Sequence, residues 1–194
     1  MFILLFILGF ALGSSNDSTQ KPPAENNSSD AGSTKAPERP DSKPTMSDLN
    51  QALDTEELFW LNKRNYSAEE QCSFWFKLSL RDSKYIFLSR HKNGEGQIKQ
   101  TKLTAKLLMK TDGPTMRVRS RGQRESEAIP YVLKFWTLNE TCAIFTYPDG
   151  KCEQRVWNQN VRSPLPSCDR AYCEFCGSTS IHVYNRTCVD PDAV

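Results

Sequence analysis

The sequence predicts an all-β fold: an eight-stranded antiparallel barrel with a C-terminal helix, stapled by disulfides. Three observations predict it. Short strand-like runs recur between turn residues from residue 58 to residue 157. A segment opened by proline and closed by glycine, PLPSCDRAYCEFCG, follows them and suits one short helix. Of seven cysteines, six lie between Cys142 and Cys188, and the seventh, Cys72, opens an upstream strand. Eight strands closed on themselves leave none of the exposed edges of a flat sheet. A barrel of that size can also hold one small ligand.

The 194 residues allow one domain plus extras, and 38% hydrophobic content supplies a sizeable core. A net charge of +2 is too weak to argue for nucleic acid. Residues 1–13, MFILLFILGFALG, read as a signal peptide. The run is short for a bilayer span, and Ala11-x-Gly13 resembles a cleavage site. No second run of about 20 apolar residues follows, so no membrane contact is expected after cleavage. A secreted chain meets an oxidising compartment, where cysteines read as disulfides. Seven is odd, so at least one thiol is free or intermolecular.

Residues 14–46 are rich in Ser, Asn, Pro, Lys, Asp and Thr, without aromatic or branched aliphatic residues. Such a stretch buries too little surface to offset ordering entropy and reads as a disordered leader. Asn16, Asn26 and Asn27 lie there in N-glycosylation sequons; Asn65, Asn139 and Asn185 lie in three more downstream. The folded domain is expected over 47–194, opened by a short helix starting at Ser47-Asp48.

The strands follow in order. Residues 58–66 form the first. In 72–80, Cys72, Phe74, Phe76, Leu78 and Leu80 share one face, and Trp75 interrupts the polar one. Residues 84–91 follow a tight turn at Arg81-Asp82-Ser83. Residues 98–110 carry two patterns. Lys102, Lys106 and Lys110 recur at helical spacing, but the NGEG turn before them and the strands around them favour one long strand. Residues 115–121 alternate Arg117, Arg119 and Arg121 with Met116 and Val118. Residues 131–138, 142–147 and 151–157 complete the set, the last two joined at Pro148-Asp149-Gly150. The helix starts near Ser167 or Cys168 and ends at Gly177, and an extended tail reaches Cys188.

Several pieces then occur together: Trp60 in ELFWLNKRNY, Cys72, YVL at 131–133 before Cys142-x-Ile144, and Cys152-Glu153. Cys168 behind a proline pair and a closing HVYNRTC complete the series. In order and spacing this set resembles the tick salivary lipocalins, the histamine-binding family, over roughly residues 48–188. The resemblance implies a lipocalin barrel. It implies the pairs Cys72–Cys188, Cys142–Cys168 and Cys152–Cys176, with Cys173 free; spacing alone leaves on the order of a hundred pairings open.

The resemblance also implies function: stoichiometric capture of a small host mediator, a biogenic amine such as histamine in some members and a lipid in others, or binding of a host protein. A buried ammonium needs a carboxylate and favours aromatic faces. Glu153 matches an acidic position of the amine binders; Ala143 stands where they carry a second acid, and Arg155 shares Glu153's strand face. The candidate ligand residues are Glu153, Trp60, Tyr66, Tyr131, Phe135 and Arg155, with Phe74, Phe76 and Trp136 as further aromatics. Alternation puts Tyr131 and Phe135 on one face, opposite Trp136. An anionic lipid would need a cation near the mouth, and Arg117, Arg119 and Arg121 supply one if they turn inward; as solvated charges they face out. Two histidines, His91 and His182, and no Gly-x-Ser-x-Gly argue against an enzyme. No metal or cofactor is expected, because disulfides consume the thiols first. The expected state is an extracellular monomer.

Overall fold

A computed structural model describes residues 43–188. The expected signal peptide, the sequons at Asn16, Asn26 and Asn27, and most of the expected leader lie outside the described residues.

The chain opens with helix α1, Met46–Leu53. Its cap is Thr45, not Ser47: Thr45 accepts from the Asp48 amide, and Asp48 accepts from the Thr45 amide, a capping box two residues earlier than the serine suggested. Eight strands follow: β1 Phe59–Arg64, β2 Gln71–Arg81, β3 Lys84–Lys92, β4 Ile98–Lys110, β5 Gly113–Ser120, β6 Ile129–Thr137, β7 Cys142–Thr146 and β8 Cys152–Trp157. Each pairs antiparallel with the next, and β1 pairs with both β8 and β2, so the sheet closes. The stretch 98–110 is one strand, because β3 and β5 pair with it along its length. Asp82 and Ser83 both take positive φ, which matches the twist that a two-residue hairpin needs.

Helix α2, Pro166–Cys176, starts with proline at its first position and ends at Gly177. Glu140, in the β6–β7 turn, accepts from the Ser167 and Cys168 amides at 2.9 and 2.8 Å. A carboxylate from another element thus satisfies donors that every helix N-terminus leaves open. A short strand β9, Ile181–His182, pairs with β1 beyond the point where β2 leaves it.

The closed barrel has two apolar layers. Inside, Phe59, Trp75, Phe87, Met116, Leu133 and Phe145 meet, and Leu49 and Leu53 of α1 cap one end. Trp136 and Trp157 hold α1 there, donating to Gln51 at 2.7 Å and Ala52 at 3.0 Å. Outside, α2 packs on β6, β7 and β8 over Trp60, Ile144, Val156, Tyr172 and all six bridged cysteines. Both faces of β1, β7 and β8 are therefore buried, which explains why these three strands lack polar alternation. The bridges are Cys72–Cys188, Cys142–Cys168 and Cys152–Cys176. They tie the tail to β2 and α2 to β7 and β8. Cys173 is unbridged and exposed.

Candidate ligand-binding site at the barrel mouth

At the end opposite α1, the loops 65–70, 93–97, 121–128 and 147–151 leave the strands. Residues at odd positions of β8 point inward there. Glu153 and Arg155 are each 3% exposed and form an ion pair, Arg155 Nη2 to Glu153 Oε2 at 2.8 Å, with Arg155 Nε donating at 2.9 Å. The Arg155 guanidinium also lies 3.5 Å from the centroid of the Trp75 ring. Glu153 accepts a further bond from the Tyr66 hydroxyl at 2.5 Å. The pair is thus compensated from within the protein.

Three half-buried tyrosines rim this pair. Tyr131 and Tyr147 have centroids 4.1 Å apart, Tyr66 and Tyr147 6.4 Å, and Tyr131 and Trp75 5.6 Å. Burial, then the Glu153 charge, pushes the Tyr131 phenol up to about 12 and holds those of Tyr66 and Tyr147 well above their ordinary range. All three are therefore protonated donors at neutral pH. For Arg155, burial works against the charge, but the Glu153 carboxylate outweighs it and the pKa rises.

Arg64, at the end of β1, faces Glu153 across the β1–β8 ladder and is 1% exposed. Its Nη2 donates to the Ala68 and Glu70 carbonyls, which fixes the 65–70 loop. Its Nη1 lies 3.6 Å from Glu70 Oε2, beyond hydrogen-bonding reach. Its Nε and Nη1, and the Tyr147 hydroxyl, are buried without a hydrogen-bond partner.

The structure brings Glu153, Arg155, Tyr66 and Tyr131 together. It does not bring Trp60 or Phe135 to them. Trp60 lies in the outer layer under the tail, 5.0 Å from Tyr184 and bonded to Asn158 at 2.8 Å. Phe74 and Phe76 belong to that layer too, and the residues of β2 that join the inner layer are Trp75 and Leu80. The shared face expected for Tyr131 and Phe135 is corrected by a register shift between Leu133 and Phe135. One extra residue turns Phe135 outward and brings Trp136 onto the inner face with Tyr131 and Leu133. Arg117 and Arg119 pair with Glu125 on the outside, while Met116 and Val118 fill the interior. Arg64 and Tyr147 were missed in the sequence. Tyr147 was legible, since it continues the inward alternation of Ala143 and Phe145; Arg64 was not, because a bulge between Leu61 and Lys63 resets its face.

No protein-family model matches the chain, and no curated protein does. Among solved structures, japanin from Rhipicephalus appendiculatus bound to cholesterol matches with a TM-score of 0.53 at 12% identity, covering 71% of this chain and 98% of japanin. The likeness shows the fold. This chain is a closed eight-stranded antiparallel barrel with a C-terminal helix and three disulfides, lipocalin-like as japanin is. No helix among the described residues is long and apolar enough to cross a membrane.

Proposed function

We propose that the chain is a secreted lipocalin of the tick salivary type. In this reading it captures a small host mediator at the mouth of its barrel, by stoichiometric binding without turnover. The observation that carries this reading is the set of unused donors: Arg64 Nε and Nη1 and the Tyr147 hydroxyl. Each buried donor without a partner costs about 1–3 kcal/mol. Two carboxylates lie near them: Glu153 already serves Tyr66 and Arg155, and the half-exposed Glu70 stands 3.6 Å from Arg64 Nη1, an ion pair without a hydrogen bond. The mouth therefore has buried donors to spare, and its buried carboxylate is committed.

The ligand that fits has an apolar body and oxygen acceptors. A fatty-acid or leukotriene carboxylate would gain charge-assisted bonds from Arg64; a sterol hydroxyl would meet Tyr147. Japanin bound to cholesterol is an instance of the second kind in a barrel of this shape. A biogenic amine is the second reading. Glu153 among Tyr66, Tyr131 and Trp75 favours it, but an amine has to displace Arg155 from both carboxylate and ring. A host protein on the outer surface remains the reading if no small ligand enters.

Tryptophan fluorescence tests the proposal. Arachidonate added to the oxidised protein should quench with sub-micromolar affinity. Arg64→Gln should weaken binding by about tenfold or more, the scale of a lost charge-assisted bond. Histamine binding that is abolished by Glu153→Gln, with no response to arachidonate or cholesterol, would replace this ligand class with the amine.

A further inference from the structure

We infer that the outer face of strands β2–β5 is a binding surface for a linear sulfated polysaccharide of the glycosaminoglycan class. The surface is separate from the mouth and stands whether or not that reading holds. The four strands contain eleven Lys/Arg and no Asp/Glu, and one of the eleven, Lys77, is taken up by Asp54 and Glu56 at 2.7 and 2.6 Å. The whole chain holds 25 Lys/Arg against 23 Asp/Glu, so charge is segregated, not high.

The strand register sharpens this. Arg81 stands opposite Lys84, Lys84 opposite Lys106, and Lys106 opposite Arg117. Four cations thus form one row across four neighbouring strands, spaced by about 4.8 Å per strand. Alternation fixes their direction: Tyr85, Ala105, Leu107 and Met116 are buried in the barrel, while Arg81, Lys84, Lys102 and Lys106 are exposed. Like charges directly opposite each other destabilise a sheet. A face shaped only for solubility would intersperse acids among them.

The counter-charges present do not neutralise the row. Glu125 meets Arg117 and Arg119 at 3.8 and 3.4 Å. Arg81, Lys84, Lys102 and Lys106 form no ion pair among the described residues, and neither does Asp82 in the adjoining turn. Helix α2 covers β6–β8, and the tail covers the Cys72 end of β2, away from the Arg81–Lys84–Lys106–Arg117 row. The sequons at Asn65, Asn139 and Asn185 also fall outside them.

Charge complementarity selects the partner. A flexible chain of sulfates can follow a row of long-stemmed cations without needing a pocket. A flat anionic bilayer meets a convex barrel at few residues. A single-stranded nucleic acid needs exposed aromatic platforms, and no exposed aromatic is found on this face among the described residues.

The test is titration of the full oxidised chain with a heparin dodecasaccharide at about 0.15 M ionic strength. Binding should weaken steeply with added salt, as counterion release requires. It should vanish for the fully desulfated oligosaccharide. The triple variant Lys84→Gln, Lys102→Gln, Lys106→Gln should bind about tenfold more weakly or worse. The charge-matched variant Lys43→Gln, Arg170→Gln, Arg186→Gln should bind as the parent does. The unfolding midpoint of the first variant should hold or rise, since the row loses repulsion. No binding by the parent chain, equal weakening in both variants, or binding of phosphatidylserine vesicles but not heparin would overturn the proposal.

Discussion

The Arg155 guanidinium lies 3.5 Å from the centroid of the Trp75 ring, in the place an external cation would take beside Glu153. Both members of the ion pair are buried, so removing one leaves the other uncompensated. Arg155→Met should therefore cost about 3–5 kcal/mol of folding stability. The double variant Arg155→Met, Glu153→Gln should recover most of it. Denaturant unfolding of both checks this. Equal losses in the single and double variants would mean that packing on Trp75, not charge, is what the arginine supplies.

The bulge in β6 makes a second prediction. Phe135 packs under α2, and Tyr131 packs at the mouth. Phe135→Ala should destabilise by about 2–4 kcal/mol, as truncation of a partly buried ring does, and leave ligand affinity unchanged. Tyr131→Ala should lower affinity. Paired melting and binding curves separate the two effects.

The tyrosines set an alkaline limit. An unfolded phenol titrates near 10, whereas Tyr131 and Tyr172 in the fold titrate near 12, and Tyr66, Tyr85 and Tyr147 higher. Above pH 10 the unfolded chain gives up protons that the folded chain retains. The folded state then binds more protons, so stability falls as pH rises from about 10 through about 12. Urea midpoints at pH 8, 10 and 11 should decline in that order. A flat profile would mean the phenols are open to solvent.

The disulfides should differ in weight. Cys72–Cys188 spans 116 residues, against 26 and 24 for the other two. In the chain-entropy treatment its loss costs on the order of 4–5 kcal/mol, and the shorter bridges about 3 kcal/mol each. Cys173→Ser should cost nothing measurable, because that thiol is exposed. Unfolding of the three double-serine variants and of Cys173→Ser gives the ranking.

Much of this fold was legible because eight short strand-like runs recur with turn residues between them. The ends of α2 were legible for the same local reason: Pro166 starts it and Gly177 stops it. The faces were harder to read. Strand alternation has period two, so each bulge exchanges inside for outside without leaving a mark in composition. That happened at Leu133–Phe135, which misplaced Phe135, and at Leu61–Lys63, which hid Arg64. Trp60 and Phe74 failed differently. They lie under the tail and beside α2, and a second apolar layer outside the barrel looks, in sequence, the same as the first. The Glu153–Arg155 pairing was foreshadowed by their shared face, but its contact with Trp75 joins strands 80 residues apart and only the closed barrel creates it.

The central claim is that the mouth offers donors to an oxygen-bearing apolar ligand. The most direct measurement is parallel calorimetric titration of the oxidised chain with arachidonate, cholesterol, histamine and serotonin. The account predicts sub-micromolar binding of arachidonate or cholesterol at one site per chain, weakened in Arg64→Gln and in Tyr147→Phe, and no comparable heat from either amine. Amine binding alone, or silence from all four, would contradict it.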